Sequence, residues 1–367
     1  MRCIKRGRFA LTSLGFHSGE TGLLGKQAYM KDETSRLKGG QIRTMSEKKP
    51  GNEARVEKVR KNDVGQQSEN WGQDRSKTYV ILNPVAGMTD ARLARRRVDA
   101  AMESRHLEYE IYETGGGEDL QKITRDAWGR GFERFLAVGG DGTVAAVAGS
   151  LANTRYPVGI VPAGTANALA RELHIPLVFN QALGLALDSQ ARRRIDAIRV
   201  GETCYFLNIS VGVTSQTMLR IARQEKRRFG LLAYIWKGLK QILAARPQRF
   251  RLQVDDRRIA FRASEVMVAN ASILGLEPFH LDPDIALDDG YLDVCVVLAR
   301  NLAEIERFIF DIITRRGRLN PQFSCFRAQH QITIETGRPL PVQADGEVVG
   351  FTPVQVEVLP GAVQIIV

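Results

Sequence analysis

The run Phe135-Leu136-Ala137-Val138-Gly139-Gly140-Asp141-Gly142-Thr143-Val144 constrains this chain most. Apolar residues end in two glycines, turn around one aspartate and enter a stretch of small, helix-compatible residues. That order predicts a buried strand, a tight turn and a helix. Glycines let the backbone approach a ligand and take up positive φ. The free N–H groups and the dipole at the start of the helix favour negative charge. A lone carboxylate in such a turn faces phosphate only across a cation, or it orients donors from behind. The run points to a nucleotide-phosphate site with Mg²⁺. Taken alone, the same residues also describe an ordinary strand-to-helix turn.

Two further segments weigh against that plain reading. Tyr79-Val80-Ile81-Leu82-Asn83-Pro84-Val85-Ala86-Gly87 is a continuous apolar run closed by Asn, Pro and Gly, as in the first parallel strand of an α/β sheet. Val158-Gly159-Ile160-Val161-Pro162-Ala163-Gly164-Thr165-Ala166-Asn167 repeats the pattern, with Thr165 and Asn167 as side-chain donors near a helix start. Three strand ends of one sheet, each with a small-residue loop, line a single crevice at its carboxyl edge.

In their order and spacing, Asn83-Pro84, Gly139-Gly140-Asp141-Gly142-Thr143 and Pro162-Ala163-Gly164-Thr165-Ala166-Asn167 resemble the diacylglycerol kinase catalytic family. The likeness is to its soluble bacterial lipid kinases, to which the sphingosine kinases are related. It continues through Leu287-Asp288-Asp289-Gly290-Tyr291-Leu292-Asp293-Val294 and Ala344-Asp345-Gly346-Glu347, and so spans about residues 76 to 367. The set of motifs is specific, although each one is short.

The chain is long enough for two domains, with 367 residues of which 44% are hydrophobic. Residues 1–75 hold 16 Lys/Arg and 9 Asp/Glu, so +7 of the net charge of +11 belongs to them. They are polar and without sustained periodicity, and are predicted to be a disordered basic leader, with Met45 an alternative start. No basic-aromatic interleaving points to nucleic acid. Cys3, Cys204, Cys295 and Cys325 lack pairing or metal spacing and read as free thiols of a reducing compartment. No apolar run reaches the ~20 residues that span a bilayer, so a lipid substrate implies a peripheral, transient visit to the inner face of the membrane from the cytoplasm.

Residues 76–190 alternate strand and helix: strand 79–82, a helix from about Asp90 to Arg105, strand 107–112, a helix ending near Gly131, and strands 135–138 and 158–161, each followed by a helix. The reading is an α/β fold with an N-terminal doubly wound parallel sheet, the nucleotide-binding domain. From 191 to 367 the rhythm becomes alternating, with strands expected at 194–200, 203–210, 250–254, 258–261, 265–270, 292–298, 331–335, 342–344 and 354–358. Asp255-Asp256 and Pro360-Gly361 read as hairpin turns, and helices are expected near 214–245 and 301–316. This is a mostly antiparallel β sandwich, the lipid-substrate domain, with the active site in the cleft between the two. An exposed sheet edge would suit a homodimer.

The resemblance implies roles for particular positions. ATP would lie on Asn83, Thr114, Gly139, Gly140, Asp141, Gly142, Thr143, Val144, Ala145, Gly164, Thr165 and Asn167. Thr114 reads equally as a helix-cap or turn residue. Asp345 and Glu347 are the candidates for the base that takes a proton from the acceptor hydroxyl, and the residues do not choose between them. A turn with two solvated acids is the plainer reading of that pair. Asp141 would organise phosphate and metal across the cleft. Leu287-Asp288-Asp289-Gly290-Tyr291 resembles the family's structural Mg²⁺ loop, with the Asp289 carboxylate and the carbonyls of Ala286 and Tyr291 as ligands. Its plainer reading is an Asp-Gly turn between strands. Asp282 and Asp284 nearby read as solvated, and His174 and His280 as structural.

Two departures from the family stand out. Ala145-Ala146 occupy places where the family commonly has Asn-Glu, and Val85-Ala86-Gly87-Met88 replaces a Ser/Gly-and-Lys continuation. Both remove polar contacts near the phosphates. The leading expectation is an ATP-dependent lipid kinase, a phosphotransferase acting on an alcohol. The alternatives are an NAD kinase-like phosphotransferase and a catalytically weak nucleotide- or lipid-binding protein. Arg223–Lys240 joins a basic cluster to an apolar, aromatic segment that reads either as an interfacial helix or as a helix packed on the second domain.

Overall fold

Strand β1 (Thr78–Leu82) is buried along its whole length, as its uninterrupted apolar sequence requires. It sits in a parallel set with β2 (Tyr109–Glu113), β3 (Arg134–Gly139) and β4 (Pro157–Pro162), in the order β2-β1-β3-β4. Helices α1 (Ala91–Glu103), α2 (Leu120–Gly129), α3 (Asp141–Ser150), α4 (Ala168–Glu172) and α5 (Phe179–Asp188) connect and follow these strands. In this computed structural model the described residues are 77–83, 91–216, 247–273, 280–282, 284–299, 302–314, 316–317 and 320–367. The basic leader with Met45, the segment 84–90 and the basic-aromatic stretch 223–240 lie outside them. The described residues form one compact unit.

The strand order reverses direction between β1 and β3, which opens a crevice at their carboxyl ends. Helix α5 lies close on β4 because Gly159 carries no side chain; a Cβ there would stand 2.7 Å from that of Ala186.

The strands of the remaining described residues pair antiparallel apart from one junction. The last strand, β16 (Val354–Ile366), runs parallel to β4 near its end, pairing Gln364 with Pro157 and Ile365 with Val158. Along the same strand it pairs antiparallel with β5 (Arg192–Val200) and with β13 (Gln331–Thr336). One ten-stranded sheet therefore continues from the parallel half through β16 and β13 into β8 (Gln248–Val254) and β9 (Arg257–Ala263), with β6 (Thr203–Tyr205) on β5. A second sheet has the order β12-β11-β10-β7-β14-β15. Its strands are β7 (Asn208–Gly212), β10 (Glu265–Ala269), β11 (Leu292–Val297), β12 (Phe323–Ala328), β14 (Pro341–Ala344) and β15 (Glu347–Phe351). Alternate residues of both sheets, such as Phe250, Leu252, Ile209, Val211, Val266 and Val294, fill the space between them. On the outer face of the second sheet, Cys295 and Phe323 pack with Leu281, Ile285 and Ile312, the last from α6 (Leu302–Ile313).

The architecture matches the expectation of a parallel α/β sheet followed by an antiparallel sandwich. Several details differ. Pro360-Gly361 is no hairpin: it is an irregularity inside β16, where the pairing with β5 shifts between Leu359 and Val363. The expected strand 203–210 is broken at Phe206-Leu207, whose N–H groups turn to a side chain instead of a ladder. Strands β12 and β15 were not foreseen. Cys295 and Cys325 are not free thiols; they face each other across β11 and β12 and form a disulfide, with Cα atoms 4.1 Å apart. Their separation of 30 residues gave no sequence cue, because only the β11–β12 register makes them neighbours. Cys204 is buried and free. Asp282 is not solvated but buried, and accepts from the Asp284 N–H at 3.0 Å.

Candidate active site

The crevice is closed by contacts that need its glycines. A Cβ on Gly139 would meet the Thr143 side chain at 2.7 Å, and one on Gly164 would meet the Gly140 Cα at 2.6 Å. The turns after β3 and β4 thus touch backbone to backbone. Asn83, at the end of β1, donates its side-chain amide to the Thr143 hydroxyl at 3.0 Å and its N–H to the Val138 carbonyl at 2.9 Å. This bridge spans the switch point itself. Thr114, just past β2, donates its N–H to Leu82, and its buried hydroxyl has no hydrogen-bond partner. Val144 and Ala145 pack against the core, so their share in any cradle is backbone.

Helix α3 begins at Gly140 with no side-chain cap. Its first-turn N–H groups keep the geometry that accepts an anion. The other helix start behaves differently from expectation. Asn167 sits in the left-handed region (φ 50°), and its amide turns back on Gly164, accepting from that N–H at 2.9 Å and donating to that carbonyl at 2.8 Å. Asn167 therefore shapes the turn, while Thr165 is the exposed hydroxyl of this loop. The Asp141 carboxylate faces the start of α4 and accepts from the Leu169 N–H at 3.4 Å. Burial raises its affinity for a proton, opposed by the N–H groups of Leu169, Ala168 and Asn167. Asp141 thus ties the start of α3 to the start of α4.

Asp345 and Gly346 form the two-residue turn between β14 and β15, both with positive φ (44° and 93°). That is the conformation a tight hairpin demands and that Asp-Gly supplies. Asp345 is not in an extended segment, and its carboxylate is not solvated. Although the turn's main chain reaches solvent, the side chain points inward. Its Oδ2 accepts from Phe206 N–H at 2.8 Å, and its Oδ1 from Leu207 and Asn208 N–H, both at 3.0 Å. Burial pushes this carboxyl up to about 6 against those three amides, and the charge of Asp141 adds to the rise. Glu347, the first residue of β15, is exposed, and its Oε1 lies 3.9 Å from the position a Gly142 Cβ would take. The fold therefore brings Asp345 and Glu347 to the uncapped start of α3, beside Asp141.

A second hairpin isolates the cause of the Asp345 shift. Asp255, in the turn between β8 and β9, also has positive φ (49°) and also accepts three consecutive amides, those of Gln329, His330 and Gln331, at 3.0, 2.8 and 3.0 Å. Burial raises it too, yet there the amides win and the carboxyl lies below the usual range. The same clamp gives opposite shifts. Deeper burial and the neighbouring Asp141 raise Asp345, whereas His330 beside Asp255 helps to lower it.

Asn270, Asp196 and the amides of 206–208 were not anticipated. Buried Asn270 donates to the carbonyls of Asp196 and Phe206, both at 2.9 Å. Asp196 accepts from Gly290 N–H at 2.7 Å and Gly361 N–H at 2.6 Å. This chain of contacts joins the 287–290 loop to the amides that hold Asp345. Backbone donors leave no mark in a sequence.

The loop expected to hold structural Mg²⁺ does not present an open carboxylate. Asp289 Oδ1 accepts from Tyr291 N–H at 3.1 Å, and its Oδ2 lies 3.2 Å from the Arg327 guanidinium. A hard cation needs several free oxygens around it. With Asp289 already engaged by a cation of the chain, the loop residues present do not fit that ion. Among the described residues no three His, Cys, Asp or Glu side chains gather as a metal cluster.

The family model of the diacylglycerol kinase catalytic domain matches residues 77–200, and that of the YegS C-terminal NAD kinase beta sandwich-like domain matches residues 208–367. Residues 77–200 thus belong to the diacylglycerol kinase catalytic family. Among relatives, a diacylglycerol kinase of Bacillus subtilis is 27% identical over 278 residues, covering 75% of this chain and 90% of its own length. One from Staphylococcus carnosus is 25% identical over 285 residues, 76% of this chain and 91% of its own. A crystal structure of a diacylglycerol kinase from Bacillus anthracis superposes with a TM-score of 0.67 at 24% identity, over 79% of this chain and 96% of that one, and speaks for the fold alone. The chain is thus similar over both its halves to diacylglycerol kinase-like lipid kinases. Among the described residues no helix is long and apolar enough to cross a membrane.

Proposed function

We propose that this protein is an ATP-dependent lipid kinase, transferring the γ-phosphate to a hydroxyl of a diacylglycerol-like lipid at the inner surface of the cytoplasmic membrane. The observation that carries the reading is the meeting of the Asp345 hairpin with the uncapped start of α3. Phosphoryl transfer asks the protein mainly for positioning and charge neutralisation. The α3 amides and the Gly139–Gly140 and Gly164 backbone supply the phosphate cradle.

Asp345 is the base in this reading. A carboxylate has about four lone-pair positions, and three are taken by the 206–208 amides, so one remains on Oδ2 for a hydroxyl. A carboxyl near 6 is mostly ionised at neutral pH yet basic enough to take a proton. As the acceptor oxygen bonds to phosphorus, the bond to the β-phosphate oxygen breaks, ADP leaves, and the hydroxyl proton passes to Asp345. Glu347 and Asp141 are the carboxylates beside the phosphate position. Mg²⁺ arriving with the nucleotide would neutralise phosphate charge there.

The deciding experiment is transfer of labelled γ-phosphate from ATP with Mg²⁺ to diacylglycerol, monoacylglycerol, phosphatidylglycerol, sphingosine and a total lipid extract in mixed micelles, with NAD as a further acceptor. Label in one lipid is the expected result. Label in NAD alone would replace this reading with a NAD kinase-like one. Nucleotide binding without transfer would make Ala145-Ala146, which place no polar atoms near the phosphates, the mark of a binding protein.

A further inference from the structure

We propose that Arg193 and Arg327 together stand in for a divalent cation in the 286–291 loop, neutralising Asp288 and Asp289 so that the loop holds its shape without metal. The two aspartates carry two negative charges and each has its own guanidinium. Arg193, from β5, holds Asp288 bidentately at 2.8 and 2.9 Å. Arg327, from β12, lies 3.2 Å from Asp289 and 3.8 Å from Asp293, its cross-strand partner. It also covers the Tyr291 ring at 5.4 Å and donates to the Asp284 carbonyl at 3.4 Å. A guanidinium offers five donors in a plane, so it can serve several oxygens around one loop, as a metal would.

The loop backbone is tied down as well. Asp196 donates its N–H to the Leu287 carbonyl at 2.6 Å and accepts from Gly290 N–H, while Asp289 accepts from Tyr291 N–H. A dication entering beside Asp289 would have to displace Arg327 and leave two like charges within a few ångströms of each other. Because Asp196 connects through Asn270 to the amides that hold Asp345, a metal-free loop makes the setting of Asp345 independent of Mg²⁺. Any Mg²⁺ requirement of catalysis then belongs to the nucleotide alone.

The test uses the full chain without nucleotide or lipid, so its outcome does not depend on the kinase reading. Melting temperature is measured in EDTA and in millimolar Mg²⁺ or Ca²⁺. The wild type is expected to melt within about 1 °C under all three conditions, whereas an ion held at hundredfold excess over its dissociation constant would raise the melting temperature by about 5 °C. Arg327→Ala is expected to melt lower and to gain stabilisation by Mg²⁺, and Arg327→Lys, which keeps a charge, to remain indifferent to it. Stabilisation of the wild type by several degrees in either metal overturns the proposal. So does an Arg327→Ala protein that melts like the wild type and ignores metal. Should Arg327→Ala not fold, the wild-type and Arg327→Lys measurements decide.

Discussion

Replacing Asp345 by Asn separates chemistry from stability, and the Asp255 hairpin supplies the control. Raising the Asp345 carboxyl from its ordinary 3.8 to about 6 means that its charge costs the native state about 3 kcal/mol at neutral pH. The sign follows from proton binding. Between these two values the folded chain holds the proton more firmly than the unfolded chain. The contribution is thus favourable below pH ~4 and lost as pH rises through ~6. Asn removes that charge and so relieves the cost. Against this, its oxygen can replace Oδ1 and keep the Leu207 and Asn208 bonds, whose loss of charge assistance the shift already contains, while its NH₂ is set against the Phe206 N–H, for a loss of about 1–3 kcal/mol. The terms nearly cancel, so Asp345→Asn should change stability by no more than about 1–2 kcal/mol. At Asp255 no charge penalty remains to be relieved, and Asp255→Asn should destabilise by about 1–2 kcal/mol after allowance for solvent. Urea denaturation at pH 7.5 measures both. Lipid phosphorylation should fall by about 10²–10⁴-fold in Asp345→Asn and stay at the wild-type rate in Asp255→Asn. A much larger stability loss at Asp345 than at Asp255 would refute the argument that its charge is disfavoured. Undiminished transfer by Asp345→Asn would refute its role as base.

Because Asp345 must be ionised to accept a proton, kcat should fall as pH drops through about 6, and Asp345→Asn should lose that limb of the profile; a pH–rate series on both proteins reads it. Gly164→Ala places a Cβ 2.6 Å from the Gly140 Cα, backbone against backbone, so it should weaken ATP binding about tenfold or more and lower the melting temperature, whereas Gly337→Ala, with nothing within 4 Å, should do neither; calorimetry with ATP and thermal melts compare them.

The sequence by itself determined the parallel half, because continuous apolar runs such as Tyr79–Leu82 and Phe135–Val138 can be buried only as central strands and each ends in a turn of small residues. It also marked Gly139, Gly140 and Gly164, since only glycine fits where two turns touch. The alternation of the second half marked most of its strands. What the sequence left open depended on which segments lie side by side. The long β16 joins both halves because its register lets one strand pair with β4, β5 and β13. Cys295 meets Cys325, and Arg327 meets Asp289 and Asp293, only through the register of β11 and β12. Apart from the family resemblance, the turn chemistry of Asp345-Gly346 does not set it apart from the Asp255-Asp256 turn, and both clamp three amides. Local sequence sets backbone preference and hydrogen-bonding capacity, and those are alike in the two hairpins. Desolvation and the field of a distant charge act through space, and only the tertiary structure brings Asp345 under cover and within reach of Asp141.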